Sequence, residues 1–296
     1  MPGRALTKAG GLSSARTGSP DSAHAREFAD LLGVAPVDTD LFEALTPARP
    51  GLPRLFGGDV AARALAAAQH TLPAFRPVHA LHGFFLLEGQ PGERMLLRVE
   101  RVRDGRSFAT RQVSVTQNGR TIFTLTASFH REEAGADLAV AFPAGIVPPE
   151  LAEHHPTDVD DFPAREPLDV IELLPFPGTE VGVGMQRRVW MRSRAPLPDD
   201  PAVHTRALTY ASDFNTGHAV ARAAGIEPAD AIVASLSHSL WLHRPFRFDD
   251  WILMEMSCDA AAGARGLVSG TAHTRDGAHI ATYTQEVLLR IRRPDH

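Results

Sequence analysis

QNGRTIFTLTASF (Gln117–Phe129) and RDGAHIATYTQEV (Arg275–Val287) read as one hairpin written twice. In the first copy Phe123, Leu125, Ala127 and Phe129 share one face of a strand, while Thr124, Thr126 and Ser128 share the other. Asn118-Gly119 tolerates the positive φ angles of a two-residue type I′ turn, whose twist matches that of the strands it joins, and Asp276-Gly277 repeats the device. Superposing the two turns pairs Ile122 with Ile280, Thr126 with Thr284 and, further upstream, Gly105 with Gly263. Order and spacing agree over a distance too long for a chance hairpin match, which points to internal duplication.

Working outward, two more strand candidates, Arg94–Val102 and Gln112–Thr116, precede the first hairpin. Ahead of them GGDVAARALAAAQHTL (Gly57–Leu72) reads as a helix, since alanine favours helix and Pro73 stops it. In the second half that place is taken by ALTYASDFNTGHAVARAAG (Ala207–Gly225), and LHGFF (Leu81–Phe85) falls near SHSLW (Ser237–Trp241). Each half is therefore expected to be a helix followed by an antiparallel meander, an α+β unit in which the sheet curves around the helix. The two sheets are expected to join edge to edge, which would protect both edges. The organisation expected is a tail over residues 1–25, a first repeat over 26–131, a connector over 132–161 and a second repeat over 162–296.

Composition narrows the function. The 296 residues are 44% hydrophobic and 22% charged, as in ordinary globular proteins. A net charge of −5 lacks the basic footprint that nucleic-acid binding needs. The single cysteine, Cys258, forms no internal disulfide and suits a reducing cytoplasm. No run approaches the roughly 18 apolar residues of a membrane span. The tail is rich in Gly, Ala, Ser and Arg and has no secretory apolar core; it reads as disordered, with an organellar transit peptide as the alternative.

Three polar residues then stand out. Asp213 lies within or near the start of the second helix, Ser235 on a strand, and Gln285 in a strand of apolar neighbours, where the first repeat has only Ala127. A carboxylate, a hydroxyl and a buried carboxamide can together hold and polarise one water molecule. No G-x-S-x-G elbow marks Ser235 as a nucleophile. The histidines His82, His238 and His243 match no zinc spacing, so neither metal nor cofactor is expected. Gly57-Gly58 either permits close backbone packing or supplies free N–H groups at a helix start that can polarise a carbonyl, Asp59 is the acid of the first repeat, and Phe84 and Phe85 are core or line an acyl channel.

Taken in order, LFGGDVAARAL (Leu55–Leu65), LHGFFLLEG (Leu81–Gly89), ERVRDGRSFATRQV (Glu100–Val113), QNGRTIFTLTASF, YASDFN (Tyr210–Asn215), HSLWLHRPF (His238–Phe246), ARGLVSG (Ala264–Gly270) and TQE (Thr284–Glu286) resemble the acyl-CoA thioesterase II family, of the double-hotdog fold. The resemblance covers roughly Phe28 to Arg290. It implies hydrolysis of fatty acyl-CoA by a water that Asp213, Ser235 and Gln285 position. The residues themselves offer Gly58, Asp59, His82, Phe84, Phe85 and His238 as substrate-binding candidates. The resemblance also implies a homodimer or homotetramer. Two departures accompany it: Ser237 where the family commonly has an acid, and Asp59 where it commonly has Gln in G-G-Q-V. The competing expectations are a dehydratase or hydratase of acyl thioesters, and an acyl-CoA binder without turnover.

Overall fold

The computed structural model describes residues 28–46, 53–152, 170–176 and 186–292. The N-terminal tail and the last part of the connector, residues 153–161, lie outside the described residues. The first half runs β1 (Ala35–Asp38), β2 (Leu41–Leu45), α1 (Gly57–His70), β3 (Val78–Phe85), β4 (Arg94–Asp104), β5 (Phe108–Gln117) and β6 (Arg120–His130). The second runs β7 (Ile171–Pro175), β8 (Gln186–Ser193), α2 (Pro201–Ser212), α3 (Thr216–Ala223), β9 (Ala231–Leu242), β10 (Ile252–Ala262), β11 (Arg265–Thr274) and β12 (His279–Ile291).

All twelve strands form one sheet, in the order β1-β2-β4-β5-β6-β3-β9-β12-β11-β10-β8-β7. Read from either edge the order is the same, half for half, and the halves meet where β3 pairs antiparallel with β9. The repeat and its edge-to-edge junction are thus as expected. The simple meander is not: β3 follows the helix yet pairs with β6, on the far side of β4 and β5.

The turns show where local chemistry acts. Asn118 and Gly119 have φ of 49° and 74°, the left-handed pair that a type I′ turn requires. Asp276-Gly277 differs, because only Gly277 has a positive φ and Thr274 bonds across a wider loop to Ala278. In the second half a consecutive left-handed pair, Gly263-Ala264, stands between β10 and β11.

Helix α1 is buried nearly all round, including Ala62, Ala64, Leu65, Ala66, Ala67 and Ala68 at 0% exposure. The sheet lies on one side and α2 on the other, so only alanine-sized residues allow both approaches. Helix α2 begins at Asp200, whose side chain accepts from the Ala202 N–H at 2.9 Å, with Pro201 in the first turn. Across the other face of the second half-sheet runs the connector, where Phe142 and Ile146 pack on Leu174, Trp190, Trp251 and Leu253. Trp190 Nε1 donates to the Val147 carbonyl at 2.9 Å, fastening it. Among the described residues no helix is long and apolar enough to cross a membrane.

Candidate active site

The second repeat breaks its helix in two, and the break makes the site. Helix α2 ends at Ser212, Asp213 caps it, and Asn215 turns left-handed (φ 62°) before α3 starts at Thr216. Asparagine is among the few non-glycine residues that accept this conformation. The carboxylate of Asp213 is thereby presented at the helix ends rather than along a helix face.

Its partners come from three other elements. Ser235 Oγ on β9 donates to Asp213 Oδ1 at 2.9 Å, and Gln285 Nε2 on β12 donates to the same oxygen at 2.5 Å. Gln285 Nε2 also lies 2.8 Å from Ser235 Oγ, so the trio is closed on itself. The other carboxylate oxygen, Oδ2, accepts from the Gly58 N–H at 2.9 Å. Helix α1 has no side-chain cap of its own at Phe56, and Asp213 supplies that role from the other repeat.

Glycine is required for that approach. A Cβ on Gly57 would lie 2.7 Å from Asp213 Oδ2 and 2.9 Å from the Phe85 ring, and one on Gly58 would lie 2.2 Å from the Tyr210 carbonyl oxygen. Burial pushes the Asp213 carboxyl up to about 6. Bonds from Gln285, Ser235 and Gly58 and the nearby Arg54 charge work the other way and hold it low enough to ionise at neutral pH. Gln285 and Asp213 are buried, at 0% and 5% exposure, while Ser235 is half-buried. The accessible side of the trio is therefore its hydroxyl.

A bulge places the serine. Along the β9–β12 ladder Ser237 faces Glu286 but Ser235 faces Val287, leaving Leu236 extra. Without it Ser235 and His238, three apart on a strand, would point to opposite faces. With it both point toward the helices. His238 Nδ1 lies 2.7 Å from Gln285 Oε1 and its Nε2 lies 2.8 Å from Ser212 Oγ.

Comparison with known proteins gives the family and the fold. The model for "Acyl-CoA thioesterase" matches residues 156–288, and that for "Acyl-CoA thioesterase N-terminal domain" matches residues 46–130. Human acyl-coenzyme A thioesterase 8 is 30% identical over 286 residues, 88% of each chain. The chain belongs to the acyl-CoA thioesterase II family. It is an acyl-CoA thioester hydrolase. The crystal structure of an acyl-CoA thioesterase II from Mycobacterium marinum superposes with a TM-score of 0.72 at 33% identity, covering 89% of this chain and 98% of that one. A hot dog fold protein from Alicyclobacillus acidocaldarius, 19% identical, superposes at 0.73 over 91% of this chain and 99% of its own, which speaks to the fold alone. The architecture is the double hotdog.

Within this thioesterase the other candidate residues are spread over several surroundings. Gly58 and Phe85 adjoin Asp213. His82 and Phe84 point out of the opposite face of the sheet, edge to face at 4.7 Å, and His82 Nδ1 lies 2.5 Å from Ser239 Oγ. Phe84 is 49% exposed and lines no channel on the helix side. Asp59 is buried elsewhere, accepting from Thr46 Oγ1 and Arg63 Nε at 2.6 Å each. The Ser237 departure falls on the face away from the trio, opposite Phe84 and Glu286. Of the two expectations for Gly57-Gly58, the structure shows close backbone packing; the Gly58 N–H is used on Asp213 and is not free for a carbonyl. Ser212, bonded to His238, joins the site without a motif of its own; its only mark in the sequence is its place next to Asp213.

Proposed function

We propose that this acyl-CoA thioester hydrolase acts on fatty acyl-CoA by direct attack of water, with Asp213 as general base; Ser235 and Gln285 donate to its Oδ1 and hold it in place, and Ser235 Oγ is left to accept from the water. A water oxygen forms a bond to the thioester carbon as its proton passes to Asp213; the carbon–sulfur bond then breaks and Asp213 gives that proton to the departing thiolate, leaving free acid, CoA thiol and an ionised carboxylate. The observation that carries this reading is the closed Asp213–Ser235–Gln285 set around a carboxylate raised to about 6. A base with that affinity is ionised at neutral pH yet binds a proton far better than an ordinary Asp.

The surroundings of Ser235 argue against it as a histidine-activated nucleophile. The imidazole of His238, on the same strand, is bonded to Gln285 and Ser212, and Ser235 gives its own proton to Asp213. Carbonyl polarisation is assigned to the N-terminus of α3, which adjoins Asp213 and has no side-chain cap. Thiol release from a panel of acyl-CoAs of rising chain length tests the substrate class. Hydrolysis that rises with chain length supports the fatty acyl reading, and hydrolysis confined to acetyl-CoA would reject it.

A further inference from the structure

We infer that His238 is a positioning residue: it fixes which end of the Gln285 carboxamide faces Asp213, through a hydrogen-bonded chain that begins at Ser212. The inference rests on the proposed roles of Asp213 and Gln285 and assigns His238 no contact with substrate.

Gln285 presents its nitrogen to Asp213 Oδ1 and Ser235 Oγ and its oxygen to His238 Nδ1. Turned over, the amide would set its oxygen against the carboxylate, acceptor against acceptor. An oxygen facing Nδ1 requires a proton on Nδ1. Burial pulls the His238 imidazole down to about 4, with the Gln285 bond opposing and His82 adding to the shift, so the ring carries one proton at neutral pH. Nε2 is then bare and accepts the Ser212 hydroxyl proton, for which the Thr209 carbonyl at 3.1 Å is the competing acceptor. Since Ser212 is bonded covalently to Asp213, the chain closes into a ring: Asp213, Gln285, His238, Ser212 and back.

The other repeat supplies the contrast. On β3 and β6 the residues facing each other at the equivalent place are Leu81 and Ala127, against His238 and Gln285 on β9 and β12. Both members of the pair are polar where the site is and both apolar where it is not. A histidine that merely filled the core would not need to change together with its partner.

The test uses His238→Leu, His238→Asn and Asp213→Asn with the whole chain, together with the 15N spectrum of the wild-type imidazole. His238→Leu leaves the amide free to turn, so kcat falls about tenfold to a hundredfold with KM held. The acid limb of kcat/KM moves up, because a turned amide disfavours the Asp213 carboxylate. Asn places an N–H near the position of Nδ1 and restores most of kcat and the limb. The spectrum shows the Nδ1–H tautomer at neutral pH. A rise in KM with kcat held, an Asn variant as impaired as Leu, or the Nε2–H tautomer would each overturn the positioning role. If His238→Leu does not fold, the Asn variant and the tautomer decide it. Full activity in Asp213→Asn instead overturns the water-attack reading itself, whatever His238 shows.

Discussion

Titrating Asp213 is the perturbation with the most definite consequence. Its carboxyl is raised from an ordinary value of 3.8 to about 6, with burial as the dominant cause. If the carboxylate is the base, kcat/KM follows its ionised fraction, roughly one molecule in eleven at pH 5 and ten in eleven at pH 7. The expected loss between pH 7 and pH 5 is therefore about tenfold, with a slope approaching one below pH 6. An unperturbed aspartate would lose less than about 10% over the same range. The same group makes an opposite demand on stability. Its folded pKa lies above its unfolded one, so its contribution to stability is present below about pH 4 and is lost as pH rises through 6. A shift of about two units corresponds to about 3 kcal/mol, as an order of magnitude. The assay is the fall of thioester absorbance across pH 5–8 with one acyl-CoA, alongside unfolding midpoints in the same buffers. Activity that is flat from pH 5 to pH 7 in folded enzyme would refute the assignment of Asp213 as a buried base.

Three further predictions concern the first turn of helix α1. Gly57→Ala sets a methyl against the Asp213 carboxylate and the Phe85 ring, both able to shift, so the protein folds at a cost of about 1–3 kcal/mol and kcat drops at least about tenfold as Asp213 is displaced. Gly58→Ala meets the Tyr210 backbone instead, so its thermal midpoint falls further than that of Gly57→Ala; equal midpoints by calorimetry would contradict this packing. Asp59→Ala leaves the Arg63 side chain, 5% exposed, without its ion-pair partner. The expected destabilisation is about 3–5 kcal/mol by denaturant unfolding, with KM unchanged in the folded fraction, whereas a raised KM at unchanged stability would make Asp59 a substrate contact.

The repeat was legible because alternation, Asn-Gly chemistry and an alanine-rich helix are local signals. Strand β3 was less so: its VHALHGFF stretch alternates poorly, and its pairing with β6 rather than β4 is a matter of topology. Asp213, Ser235 and Gln285 stood out by residue type, and the family resemblance named them together. Their contact, however, depends on the extra residue at Leu236, and a bulge is defined by its partner strand, which one strand's sequence does not encode. The helix break had a signal in Asn215, but continuing apolar spacing on both sides concealed it. Asp59 misled because an acid at a helix start looks alike whether it faces a ligand or an arginine four residues on. Gly58, 155 residues from Asp213, arrives from an element that sequence separation hides, whereas Ser212 lies beside Asp213 in the chain.

The central claim is that a carboxylate held by Ser235 and Gln285 drives thioester hydrolysis. The most direct measurement is CoA thiol release by Asp213→Asn and Gln285→Ala, each confirmed folded by its unfolding transition. A fall in kcat of roughly a hundredfold or more is expected in each. Full turnover in both variants would contradict it.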